Sequence, residues 1–165
     1  MNPSALVALL VFVALVVVAA AVGSRFRPGE WYERLRKPSW RPPNWLFAPV
    51  WSALYLMMAF AAWLVWGKAG LAAGAVPLAL WLGQLVLNAA WSPAFFGLRR
   101  PDLGLIVIAA LWVAIASTVA AFAAVSATAA WLMVPYLVWV SFATALNFAI
   151  WRLNPLPPTL RPAAG

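Results

Sequence analysis

The chain has 165 residues, 67% of them hydrophobic and 8% charged, with a mean hydropathy of +0.94 and a net charge of +8. Soluble domains carry roughly 25% charged residues, so this composition describes an integral membrane protein with no room for a separate soluble domain. Cysteine and histidine are absent, which excludes disulfides, thiol catalysis, zinc centres and imidazole ligation of haem, and removes the commonest general acid–base group. In chain order, residues 4–24 are uncharged and apolar, the length of one membrane span. Ala19-Ala20-Ala21 imitates a signal-peptide cleavage site. No basic residue precedes the run, however, and it is long for a signal core, so a retained first helix is expected.

Residues 25–51 form the stretch that organises the rest. They hold six of the eleven basic residues and five of the fourteen prolines, together with Trp31, Tyr32, Trp40, Trp45 and Trp51. Proline fixes its own φ and biases the residue before it towards extended structure, so Pro42-Pro43 keeps this loop from becoming one helix. The aromatic residues suit the membrane interface. Two readings follow: an ordered lid across one mouth of a helical bundle, or an interfacial aromatic belt with basic topology signals.

Further spans are expected at about 45–66, 76–96, 103–124 and 130–152. They are separated by Gly67-Lys68-Ala69-Gly70, by Leu98-Arg99-Arg100-Pro101-Asp102, and by a weak break at Ser126-Ala127-Thr128. Pro93 should kink or end the third span. The Pro-rich tail, 154–165, is expected to be disordered. The predicted fold is therefore an all-α membrane protein, a five-transmembrane-helix bundle with the first loop as lid, in one domain over 1–165. Five spans place ten of the eleven basic residues on one side and leave Lys68 on the other. The positive-inside rule then predicts the N-terminus out and the C-terminus in. Basic residues that flank apolar runs point to anionic lipid headgroups and topology rather than to nucleic acid.

At 100° per residue, the third span gathers Ala79, Gly83, Ala90 and Gly97 in one sector and Gln84, Asn88, Trp91 and Phe95 roughly opposite. A small-residue sector allows close helix packing and predicts a homodimer seam or tight internal packing. Buried amides in lipid must meet other helices, water or a ligand. The fifth span carries Tyr136, Trp139, Ala143 and Leu146 on one stripe beside Asn147, and the second places Trp51 and Tyr55 one turn apart. Ala143 among large aromatics would leave space for a flat apolar guest; the alternative is an aromatic core filled by its own side chains. Glu30, Glu33 and Asp102 all lie in loops, and no ionisable residue sits in mid-membrane. That weighs against a pump, an ion-coupled carrier, a carboxylate-pair enzyme or a triad hydrolase. Aromatic walls, amides and a basic lid suit a flat hydrophobic ligand with an anionic edge.

Three stretches carry a family resemblance. WYERLRKPSWRPP (31–43), NAAWSPAFFG (88–97) and PYLVW with ATALN (135–139 and 143–147) resemble the signatures of the TspO/MBR family, the tryptophan-rich sensory and translocator proteins. The resemblance covers nearly the whole chain in the right order. It implies a five-helix, usually dimeric bundle that binds porphyrins and, in some members, sterols and benzodiazepine-type drugs beneath the first loop. Carried over by motif, the ligand contacts would be Tyr32, Pro42, Trp51, Asn88, Trp91, Trp139, Ala143 and Leu146. Some bacterial relatives degrade protoporphyrin in light, with tryptophans matching Trp51 and Trp139 implicated. That would make these two catalytic in an enzyme reading. Phe148 stands where the family's sterol-recognition segment has a tyrosine, which puts sterol binding in doubt; such motifs are weak even when intact.

The expected function is tetrapyrrole binding for sensing, sequestration or transport, with light-dependent porphyrin breakdown or sterol or lipid carriage as alternatives. No cofactor is required. Protoporphyrin IX, or haem held by shape, is the expected ligand, and a second copy of the chain and membrane lipid are the expected partners. The Ala/Arg-rich composition and clean charge partition point to a bacterial cytoplasmic membrane.

Overall fold

The computed structural model describes residues 3–155, and all regular structure among them is helical. Helix α1 spans Pro3–Ser24, α2 Glu30–Arg34, α3 Asn44–Ala73, α4 Ala75–Ser92, α5 Pro101–Ala123 and α6 Ala127–Leu153. A π-helical turn, Pro93–Gly97, prolongs α4. Five segments among the described residues are long and apolar enough to cross a membrane: α1, α3, α4 with its π turn, α5 and α6. Their outer faces expose Val17, Val18, Leu56, Val86, Ile106 and Val138. Side chains of this kind cost free energy in water and none in lipid, so helices apolar all round are stable here.

The spanning helices close a ring. α1 packs on α3 and α4, α3 packs on α6, α6 on α5, and α5 on α4; α3 and α4 also touch across the bundle. Small residues allow the close approach. Ala59, Ala61 and Ala62 of α3 are buried with Met58 and Val65, since without a hydrophobic drive in lipid, packing itself must hold helices together. Gly104 shows how tight this is: a Cβ there would lie 2.8 Å from the Phe95 ring and 3.0 Å from Asn147 Oδ1. Indole hydrogen bonds add ties between helices. Trp63 Nε1 donates to the Ala5 carbonyl at 2.8 Å and Trp81 Nε1 to the Met58 carbonyl at 3.1 Å.

Helix ends differ from the sequence expectation where glycine and proline act. α3 continues through Gly67, Lys68 and Ala69 and breaks only at Gly70, whose φ of 65° is left-handed. Glycine in a helix costs only about 1 kcal/mol, so glycine content alone did not mark the end. Pro93 ends the α-helical part of this span at Ser92, as expected, and opens a π turn in place of a plain stop. Lacking an N–H, it lets the turn widen, and Leu98 N–H donates to the Pro93 carbonyl at 2.8 Å. The weak break before α6 is a true N-cap, with Ser126 Oγ accepting from Ala129 N–H at 3.4 Å. Asn154, assigned to a disordered tail, is tied into the fold by three side-chain hydrogen bonds. The tail from 156 onward lies outside the described residues.

Candidate ligand-binding site

The first loop lies over the bundle as an ordered layer. α2 is only five residues long, too short to persist on its own. Its carbonyls are capped by Lys37, whose Nζ donates to Glu33 O at 2.9 Å and Leu35 O at 3.1 Å. The same ammonium sits 4.7 Å from the centroid of the Tyr32 ring, a cation–π arrangement. Tyr32 points down into the bundle, 7% exposed, with its ring 6.1 Å from Phe95 and 5.3 Å from Phe96. Asn154, just past α6, clamps the far arm: its Oδ1 accepts from Arg36 N–H and its Nδ2 donates to Arg36 O, both at 2.9 Å. The lid reading is therefore the structural one. The belt reading retains Trp45, which is 71% exposed at the start of α3.

Beneath this lid two aromatic groups meet. Tyr32, Phe95, Leu146 and Ile150 form a buried cluster joined by Trp31, Leu35, Phe47, Trp91, Phe96 and Phe142. Trp91 also packs against the main core, as do Trp51, Trp139 and Ala143. The Trp91 and Phe95 rings stack at 5.2 Å, one turn apart on α4 and its π turn. Between α3 and α6, the Trp139 ring lies 5.6 Å from Phe47 and 5.8 Å from Phe142, and Phe142 lies 5.7 Å from Trp40 of the loop. Trp51 lies 5.4 Å from Tyr55 and 6.1 Å from Tyr136. Pro42 is half-buried in the strand of loop that runs from Trp40 into α3.

The amides of the site are hydrogen-bonded between helices. Tyr55 Oη donates to Asn88 Oδ1 at 2.7 Å, and Asn88 Nδ2 donates to Tyr136 Oη at 2.9 Å, so Asn88 joins α3, α4 and α6. Trp91 Nε1 donates to Asn147 Oδ1 at 3.1 Å, and Asn147 Nδ2 to the Pro101 carbonyl at 2.7 Å. For Asn88 and Trp91 the structure thus supplies a partner within the fold for the polar atoms assigned to a ligand. Two buried polar atoms lack a partner among the described residues: Gln84 Oε1 and Trp139 Nε1. Gln84 sits in the core, where its Nε2 meets Met58 Sδ at 3.8 Å. Trp139 Nε1 belongs to the wall beneath the lid. An unpartnered buried donor costs about 1–3 kcal/mol, and an acceptor brought by a guest would recover it.

Sequence reasoning missed Phe47, Phe142 and Asn154. Phe47 precedes Trp51 by one turn and Phe142 follows Trp139 by one turn, so helical spacing could have found both. Asn154 carried no signal because its partner is a backbone 118 residues away. On the small-residue sector of α4, Ala79 and Gly83 are exposed, and a Cβ at Gly83 would meet nothing within 4 Å. Gly97, also exposed, lies against the first loop instead: a Cβ there would lie 2.9 Å from the Phe26 ring. The π turn rotates it off the 100°-per-residue sector, which the sequence projection carried straight through Pro93.

The sequence profile of the TspO/MBR family matches residues 9–152. This chain belongs to the TspO/MBR family. It is 46% identical over 138 residues to Protein CrtK of Rhodobacter capsulatus, covering 83% of this chain and 86% of that protein. It is 46% identical over 138 residues to the human Translocator protein, covering 81% and 82%. It is 47% identical over 150 residues to the Tryptophan-rich protein TspO of Chlorobaculum tepidum, covering 87% and 93%. With five apolar spans, this TspO/MBR protein is an integral, multi-pass membrane protein.

Proposed function

We propose that this TspO/MBR protein binds a tetrapyrrole beneath its first loop and uses lid opening to sense, hold or pass it on. The observation that carries the reading is the buried, unpartnered Nε1 of Trp139 in the wall between Phe47 and Phe142. A porphyrin offers both a flat apolar face for these rings and acceptors, its pyrrolic nitrogens and propionate oxygens, for the indole. Trp51, Ala143 and Leu146 extend the same wall, and Tyr32 and Pro42 roof it. Asn88 and Trp91 act here as supports that hold Tyr55, Tyr136 and Asn147 in place. Phe47 and Phe142 fill the space between α3 and α6 with Trp139, so a guest enters by swinging these rings aside under a raised lid. Propionates would reach Arg36 and Arg41 at the mouth. Relatives named sensory and translocator proteins favour binding coupled to signalling or transfer.

The assembly proposed is a homodimer across the exposed Ala79–Gly83 face of α4, with Ala90 at its edge, in a bacterial cytoplasmic membrane with the lid inside. The concentration of basic residues at the lid end supports that orientation.

The test is titration of protoporphyrin IX in detergent, followed by its Soret band. Trp139→Phe keeps the ring and deletes the N–H, and should weaken binding about tenfold. Ala143→Phe should block the wall. Unchanged affinity in both variants would refute the site.

A further inference from the structure

A second site lies at the edge of the lid, and its floor is shared with the aromatic cluster beneath the lid. Where α1 ends, α2 crosses and the α4–α5 turn passes, a cleft of about 410 Å³ opens. Its floor is aromatic and half-buried, Trp31 and Phe96. Its rim carries three guanidiniums from three segments: Arg27 after α1, Arg34 at the end of α2, and Arg99 in the turn before α5. Glu30 is the single carboxylate in the lining and pairs with Arg34 at 2.9 Å. Three cations less one anion leave the cleft at +2.

Arg99 is the informative residue. It is the one non-glycine residue with positive φ among those described, at 55°. Glycine would take that backbone conformation without strain, so the turn itself gives no reason for arginine. Its side chain has no hydrogen bond or ion pair among the described residues, and it faces the cleft. Arg27 is half committed, with Nε donating to Ser24 O at 3.2 Å. The cleft also sits where membrane spans end, at Ser24 and just before Pro101, which is headgroup depth.

We propose that this cleft binds the phosphate of an anionic phospholipid headgroup. Arg27 and Arg99 would clamp the phosphate oxygens, Arg34 would assist, and the glycerol and upper acyl chain would lie on Trp31 and Phe96. Guanidinium forks match phosphate geometry, and tryptophan suits this depth. The site needs no tetrapyrrole. Bound lipid would join α1, α2 and the α4–α5 turn on the side of the lid that Asn154 does not reach. Membrane charge would thereby bear on how readily the lid lifts.

The test uses the purified full chain in neutral detergent, with dihexanoyl-phosphatidylglycerol, dihexanoyl-phosphatidylcholine or inorganic phosphate added and Tm recorded. Phosphatidylglycerol should raise Tm saturably, by about 3–6 °C at ten times its Kd, and the other two should not. Arg27→Gln and Arg99→Gly should each weaken the response about tenfold in concentration, and Arg152→Gln should leave it unchanged. Arg99→Gly relaxes the backbone while deleting the guanidinium. Its lipid-free Tm should therefore equal or exceed the parent's, which separates loss of ligand from loss of fold. An equal response to inorganic phosphate would overturn the lipid assignment in favour of a free anion. So would an equal response to phosphatidylcholine, parent-like affinity in Arg99→Gly and Arg27→Gln, or an equal loss in Arg152→Gln.

Discussion

Asn154 holds the lid closed, and its removal should loosen one arm without disturbing the bundle. The side chain accepts from Arg36 N–H and donates to Arg36 O, each at 2.9 Å, and donates to Ile150 O at 2.7 Å. Asn154→Ala deletes the two bonds to the loop. Each is worth about 0.5–1 kcal/mol at a partly solvated site, so the closed lid loses about 1–2 kcal/mol. The open fraction should then rise about 5–30-fold, and exchange of the Arg36 amide should accelerate by the same factor. Hydrogen exchange with mass spectrometry on peptides covering 30–41 reads this directly, with peptides from mid-α5 as an internal reference. Asn154→Asp keeps the acceptor for Arg36 N–H and loses the donor, so its acceleration should fall between the two. If exchange over 30–41 changed less than twofold in Asn154→Ala, the clamp would be dispensable. The burial of Tyr32 against Phe95 and Phe96 would then account for lid closure by itself.

Asn88→Leu strands the buried Tyr136 hydroxyl and the half-buried Tyr55 hydroxyl. It should destabilise the bundle by about 2–4 kcal/mol, seen as a lower Tm. Adding Tyr55→Phe and Tyr136→Phe should restore most of that loss. Gly104→Ala drives a Cβ to within 2.8 Å of Phe95 and 3.0 Å of Asn147 Oδ1, and should cost about 1–3 kcal/mol by overpacking, again measured as Tm. Gly83 faces open space, so Gly83→Leu should leave the monomer's Tm within about 1 °C. It should nevertheless shift a dimer to monomer on size exclusion with light scattering if α4 forms the seam.

Length, hydropathy and charge were enough to count the spans, because a bilayer demands about 20 apolar residues per helix whatever their partners. The same linear rules identified the loop as aromatic, basic and unable to be one helix, and placed Trp51, Trp139 and Leu146 on faces that do turn inward. Projection failed where the helix itself departs from 100° per residue. The π turn at Pro93 moved Gly97 from the expected seam to a contact with Phe26. It also failed where a partner is distant in sequence: the Asn154 clamp on Arg36 and the Trp91–Asn147–Pro101 chain join residues that no periodicity relates. Whether buried amides served ligand or scaffold was undecidable in one dimension, since either satisfies the requirement that polar atoms in lipid be paired. Packing decided it. Asn88 and Asn147 bond across helices, and Trp139 alone in the wall beneath the lid is left with a buried donor to offer. Lone segments have periodicity, whereas hydrogen-bond partners and empty space exist only once the helices close their ring.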